Sequence, residues 1–388
     1  MTSTAAQQGG TLNFDPQALR EKYRLERDKR IRADGNDQYV EVTGDFSHYV
    51  DDPYITPGMT RNSVVRDVEV VIIGGGFGGM LAAARLRDAG ITDFMLIEKG
   101  GGFGGTWYWN RYPGASCDIE AYVYLPLLEE TGFVPRQKYT NAEETLEYCE
   151  VLAQRYRLHE HALLQTQVRQ VVWQESSRRW QVVTDRGDQL QARFVIHSNG
   201  PLNRPKLPAI KGIDQFKGHT FHTSRWDYAY TGGTTFGDLS QLADKRVAVI
   251  GTGATAVQCV PHLAASAKAL YVFQRTPSSI DVRDNQPTNP DWISKQTPGW
   301  QKRRQTNFES IMSGLPVKED LVGDGWTEAF RNLFGGLGDS MPSKARLALW
   351  AVQGVFSSKR RERGLKQYLM DRAIQYMGLT QKMEMADF

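Results

Sequence analysis

The sequence predicts an α/β fold: two strand–glycine turn–helix units in one chain, with a helical stretch at the C-terminal end. Two segments carry that prediction. In VEVVIIGGGFGGMLAAARL, residues 68–73 read as a strand, Gly74, Gly76 and Gly79 keep the spacing GxGxxG, and residues 80–86 open a helix. In KRVAVIGTGATAVQCVPHL, residues 247–250 are the strand and Gly251, Gly253 and Ala256 form the variant GxGxxA. A buried parallel strand reads as a near-continuous apolar run, and a glycine turn leading into a helix presents backbone N–H groups to phosphate.

Residues 1–66 read as an extension. Within it, residues 16–32 (PQALREKYRLERDKRIR) predict a charged helix with a thin apolar stripe at Leu19, Tyr23, Leu25 and Ile31. Residues 67–215 form the first Rossmann-like dinucleotide-binding domain, 216–245 a linker, and 246–284 the first part of a second such domain. From 285 to 388 the chain predicts a helical insertion, with helices over 343–355 and 365–377.

Composition removes several function classes. The 47 Lys and Arg against 44 Asp and Glu leave a net charge of +3, too weak and too mixed for a nucleic-acid partner. No apolar run is long enough for a membrane-spanning helix, so no membrane partner is expected. The N-terminal MTSTAAQQGG has neither the basic nor the apolar region of a secretory signal. Cys117, Cys149 and Cys259 lie far apart, with no CxxC, metal-ligand spacing or disulfide framework, and a reducing cytoplasm is the expected location.

The two turns differ in one informative residue. Glu98 follows the second strand of the first unit, 24 residues after Gly74; Arg275 stands at the same offset from Gly251. A carboxylate there accepts hydrogen bonds from a free ribose diol, whereas a guanidinium suits a 2′-phosphate. The first site is therefore read as an FAD site and the second as an NADPH site. Disulfide reductases share this plan but need a redox cysteine pair, which is absent. After Glu98 comes GGGFGGTWYWNRYPGASCD, where Thr106, Trp107, Tyr108, Trp109 and Tyr112 suit a wall for a flat ring.

Downstream, FKGHTFHTSRWD places Phe216, Gly218, His222 and Trp226 in the pattern FxGxxxHxxxW. This resembles the fingerprint of the Baeyer–Villiger monooxygenases, the class B flavin enzymes. Residues 104–118 also look like that family's second motif, [AG]GxWxxxx[FY]P[GM]xxxD. The resemblance implies NADPH- and FAD-dependent insertion of oxygen beside a ketone, through a flavin peroxide, with a ketone and molecular oxygen as partners and an ester or lactone as product. It implies that Glu98, Thr106, Trp107, Tyr124 and Val168 contact FAD, with Asp118 beside the flavin positioning a catalytic arginine. Thr252, Gly253, Ala254, Thr255, Ala256, Val257, Arg275 and Thr276 would hold NADPH. His222 would couple coenzyme movement to domain arrangement rather than act as acid or base. Flavin N- or S-oxygenation, or a catalytically incomplete FAD- and NADP-binding fragment, are the alternative readings.

The same resemblance sets an expectation about extent. The family's catalytic arginine comes from a Lys-Arg pair after the helical insertion, and neither Lys302-Arg303 nor Lys359-Arg360 suits that place. The chain is expected to correspond to the N-terminal three-fifths of a full enzyme, leaving Asp118 buried and without its partner.

Overall fold

The computed structural model describes residues 15–335, apart from 32, 56, 57, 276, 277, 279 and 281. The helices expected over 343–355 and 365–377, and Lys359-Arg360, lie outside the described residues.

Helix α1 (Pro16–Arg30) starts where Asp15 accepts a hydrogen bond from the Gln17 N–H at 2.8 Å, with proline in the first turn. None of its side chains is buried, and Tyr23, Leu25 and Ile31 stay exposed. The helix is as expected, but its apolar stripe packs on little. Strand β1 (Tyr39–Glu41) follows.

The first unit consists of β2 (Val65–Ile73), α2 (Phe77–Asp88) and β3 (Phe94–Ile97). Three short helices come next: α3 (Thr106–Trp109), α4 (Ala121–Tyr124) and α5 (Leu128–Thr131). Helix α6 (Ala142–Arg155) is capped by Asn141, which accepts from the Glu144 N–H at 2.8 Å. Strands β4 (Ala162–Leu163), β5 (Val168–Gln174), β6 (Arg179–Thr184), β7 (Gln189–His197) and β8 (Lys206–Pro208) then lead to α7 (Tyr228–Thr231).

Among the described residues the largest sheet has six strands in the order β4-β3-β2-β7-β6-β5. Its first four strands are parallel; β7, β6 and β5 form an antiparallel meander. Strand β2 starts three residues before the apolar run because Val65, Arg66 and Asp67 already pair with β7. Ile72, Phe94 and Leu96 pack with Ala83 and Ala84 of α2 and Tyr148 and Leu152 of α6, all nearly inaccessible. Small residues on α2 let it lie close to the sheet.

The second unit is β9 (Arg246–Ile250), α8 (Ala254–Ser266) and β10 (Ala269–Phe273), with the two strands parallel. Ile250, Tyr271, Val272 and Phe273 remain exposed. Helices α9 (Pro290–Ser294), α10 (Trp300–Met312) and α11 (Gly325–Gly335) follow. Helix α10 docks on the first unit through Arg304, which pairs with fully buried Glu120 (Nη2 to Oε2 2.9 Å), and Gln301, which donates to the Leu125 carbonyl at 2.6 Å.

The extension is fastened at several points. Strand β1 pairs antiparallel with β8. Arg61 donates to both Asp188 oxygens at 2.5 and 2.6 Å, and Asp52 accepts from the Tyr108 hydroxyl at 2.8 Å.

Candidate functional site

A cavity of about 350 Å³ opens at the C-terminal ends of β2 and β3, where an open α/β sheet binds ligands. Gly74, Gly76, Glu98, Thr106, Trp107, Tyr124 and Val168, singled out in the sequence, all line it. Gly74 has φ +110°, and a Cβ there would sit 2.4 Å from the Ser198 carbonyl oxygen. Gly79 is buried in the first turn of α2; its Cβ would meet the Gly74 carbonyl at 1.9 Å. Both glycines are thus demanded by the protein's own backbone. Gly76 differs: its φ is −77°, and a Cβ would find only Gly105, with its Cα at 3.4 Å. That position faces the cavity, at the N-terminus of α2.

Glu98 is buried, and its two oxygens accept from the Gly75 N–H at 2.6 Å and the Gly100 N–H at 2.7 Å. A carboxylate offers about four lone-pair sites, so acceptor capacity remains for ribose hydroxyls. Trp107 Nε1 donates to the Tyr124 hydroxyl at 2.9 Å, fixing an edge-to-face pair at 80° on the cavity wall. Burial raises the Tyr124 phenol, keeping it neutral. Of the aromatic cluster, Trp107 and Trp109 line the cavity. Tyr108 turns to Asp52, and the Tyr112 hydroxyl donates to Gln258 of α8 at 2.8 Å, joining the two units. The one-turn helix α3 spreads these side chains over different faces, so they do not form one wall.

Two cations here were missed in the sequence. Lys99, immediately after Glu98, lines the cavity and donates to the Asn203 carbonyl at 2.7 Å; burial and then the Arg225 charge lower it to about 8. Arg225 is buried with its Cζ 3.6 Å from the Trp109 ring centre, and burial lowers it to about 10. Lys99 could have been found from its place beside Glu98. Arg225, inside the linker pattern at an unspecified position, carried no signal.

In the second unit Gly251 has φ +108°, and among the described residues nothing lies within 4 Å of a Cβ added at Gly251 or at Gly253, at the N-terminus of α8. Ala254, Thr255, Ala256 and Val257 form the first turn of α8, with Ala256 buried; the Thr252 carbonyl accepts from the Ser278 hydroxyl. Arg275 is exposed just past β10, and its guanidinium donates to Gln38. Thr276 lies outside the described residues.

The linker residues do structural work. His222 is half-buried; its Nδ1 accepts from the Ser224 N–H at 3.1 Å, and desolvation with the Arg225 charge lowers it to about 4. Trp226 is buried, donates from its backbone N–H to the Tyr54 hydroxyl at 3.1 Å and from Nε1 to Thr231 at 3.1 Å. Phe216 is exposed, and a Cβ at Gly218 would run into its ring at 2.5 Å.

Asp118 requires a correction. It is not buried and unpaired: its side chain is 54% exposed, Trp326 Nε1 donates to it at 3.2 Å, and Arg283 Nη2 lies 4.0 Å away. The loop before α9 and helix α11 bring those partners to it. Of the Lys302-Arg303 pair, Arg303 donates to the Pro298 and Thr297 carbonyls at the start of α10.

A family model described as pyridine nucleotide-disulphide oxidoreductase matches residues 71–299, which hold both glycine turns and the linker. The chain belongs to that family. It is 56% identical over 315 residues to neopentalenolactone D synthase of Streptomyces avermitilis, covering 81% of this chain and 53% of that protein. It is 51% identical over 321 residues to a Baeyer–Villiger monooxygenase of Stachybotrys chlorohalonatus, covering 82% and 51%. Among solved structures it is similar to polycyclic ketone monooxygenase from Thermothelomyces thermophila, with TM-score 0.77 and 38% identity over 86% of this chain and 57% of the other. The kinship with Baeyer–Villiger monooxygenases that the linker motif implied is established by these likenesses. The chain spans about half the length of these two curated relatives.

Disulfide chemistry has no place in it. All three cysteines are buried and free, and burial raises Cys117 to about 12, Cys259 to about 11, and Cys149 further still. Thiols so far from ionisation are poor nucleophiles.

Proposed function

We propose that the chain carries the FAD and NADPH sites of a Baeyer–Villiger monooxygenase, which inserts one atom of molecular oxygen beside a ketone carbonyl to give an ester or lactone. The observation that carries this reading is the pairing of Glu98 after β3 with Arg275 after β10, on two glycine turns joined by the His222–Trp226 linker. A carboxylate and a guanidinium at matching places divide the work between a ribose diol and a 2′-phosphate.

The residues fit both groups. Glu98 retains acceptor capacity, the N-terminus of α2 faces the cavity at Gly76, and the Trp107–Tyr124 pair forms a rigid wall. At the second site, no described residue crowds Gly251 or Gly253 at the N-terminus of α8, a place suited to a pyrophosphate. Bound FAD supplies the redox and oxygen chemistry, with NADPH as hydride source. Asp118 is proposed to position a cation near the reacting end, and Arg283 now stands beside it. Developing negative charge there needs such a cation and a dry pocket. His222, neutral through the physiological range, serves to couple the two units rather than to transfer a proton. A cytoplasmic location, expected from the wide spacing of the three cysteines, is part of the proposal.

The test is oxygen uptake with NADPH and a ketone, an amine or a sulfide, followed by product analysis. Ester or lactone from the ketone supports the proposal. Oxidised amine or sulfide without ester assigns N- or S-oxygenation instead; hydrogen peroxide alone shows NADPH oxidation uncoupled from oxygen insertion, and no NADPH oxidation assigns nucleotide binding without catalysis.

A further inference from the structure

Among the described residues, the extension reaches the second nucleotide site at Arg275. Arg275, the residue read as the 2′-phosphate ligand, donates through Nη1 to Gln38 Oε1. Gln38 is held firmly for that contact. Its Nε2 donates to the Gly35 carbonyl at 2.6 Å, which turns Oε1 outward, and its backbone carbonyl accepts from the Ala209 N–H at 2.9 Å. Strand β1 starts at the next residue and pairs with β8, so the amide sits on an anchored backbone. From α1, Arg30 Nε donates to the Arg275 carbonyl at 3.2 Å while its Nη2 lies 3.5 Å from Glu26. The extension therefore grips both the backbone and the guanidinium of one exposed arginine, 237 residues away from Gln38 in the sequence.

We propose that Gln38 is a positioning residue for the 2′-phosphate of NADPH, holding the Arg275 guanidinium in place, and that Arg30 secures the turn that carries it. The proposal rests on the NADPH reading of the second site. An exposed arginine has large rotamer freedom, and fixing it beforehand removes part of the ordering cost of binding. A neutral amide suits the task. It occupies one of five N–H donors without cancelling the charge, leaving Nη2 and Nε for a bidentate phosphate contact.

The experiment is calorimetric titration of the 388-residue protein with adenosine 2′,5′-bisphosphate and, separately, with 5′-AMP. The first probe carries the 2′-phosphate and the second lacks it. Gln38→Ala is expected to weaken the bisphosphate by roughly three- to tenfold, the range of one modest hydrogen bond, and to leave 5′-AMP unchanged. Gln38→Glu, which places a carboxylate against the guanidinium, is expected to weaken the bisphosphate further. In an Arg275→Ala background, Gln38→Ala should have no additional effect. Unchanged bisphosphate affinity in Gln38→Ala, or equal losses for both probes, would overturn the proposal while leaving the NADPH reading intact. If the parent protein itself fails to prefer the bisphosphate over 5′-AMP, the NADPH reading falls and this proposal with it.

Discussion

The glycines of the first turn permit a test that separates folding from ligand binding. At Gly76 the backbone is extended (φ −77°, ψ −176°), a conformation open to any residue, and an added Cβ would contact Gly105 Cα at 3.4 Å. Gly76→Ala should therefore leave the apoprotein folded; a Gly-to-Ala change at a compatible site stabilises by about 0.4–1 kcal/mol through the unfolded chain. The close contact with Gly105 offsets some of that gain. The same methyl would stand between the N-terminus of α2 and the pyrophosphate of FAD. Losing one charge-assisted hydrogen bond from a backbone N–H costs about 1.5–3 kcal/mol, or roughly ten- to hundredfold in Kd. Gly79→Ala is the contrast, because its Cβ would lie 1.9 Å from the Gly74 carbonyl. That clash should lower stability and flavin content together. The assay is thermal unfolding of the apoproteins beside a fluorescence titration with FAD. Parent-like FAD affinity in Gly76→Ala would refute the pyrophosphate assignment. A strongly destabilised Gly76→Ala apoprotein would refute the claim that this position faces open space.

Three further outcomes are expected. Arg275→Ala should weaken NADPH by roughly ten- to hundredfold and leave NADH within about twofold, measured as Kd for each; equal losses would make Arg275 structural. Asp188 is fully buried, which by itself raises its carboxyl, but bonds from Arg61, Thr184 and the Val64 N–H outweigh burial and hold it at about 2. Because the folded pKa is depressed from 3.8, its contribution is present above about pH 4 and lost as pH falls toward 2. Urea titrations over that window should lose about 2 kcal/mol in the parent and much less in Asp188→Asn, which starts less stable. Asp118→Asn removes a half-exposed charge and should shift stability by less than about 0.5 kcal/mol while lowering oxygenation; a melting temperature several degrees lower would assign Asp118 to structure alone.

The two nucleotide units were legible because parallel strands and glycine turns are local patterns. The strand starts moved by one to three residues, as at Val65 and Arg246, where pairing extends the strand past its apolar core. Glu98 was legible by its offset, and its hydrogen bond from Gly75 ties it to the turn. What stayed hidden depends on residues far apart in the chain. Arg61 and Asp188 are 127 positions apart, and Trp326 reaches Asp118 across 208. The exposure of Asp118 could not be read from its motif, since the loop carrying Arg283 and helix α11 set it. The extension looked like an appendage because α1 buries nothing, yet its later residues Tyr54, Arg61 and Gln38 bond the linker and both units.

If the two sites of this chain serve one hydride transfer, electrons must pass from the coenzyme of the second unit to the flavin of the first. Anaerobic stopped-flow mixing of the FAD-loaded protein with NADPH, followed at the flavin absorbance, reads that step alone. Loss of the oxidised flavin band is expected with NADPH, and a slower loss with NADH at the same concentration. A flavin that stays oxidised while NADPH binding is independently demonstrated would contradict the shared transfer.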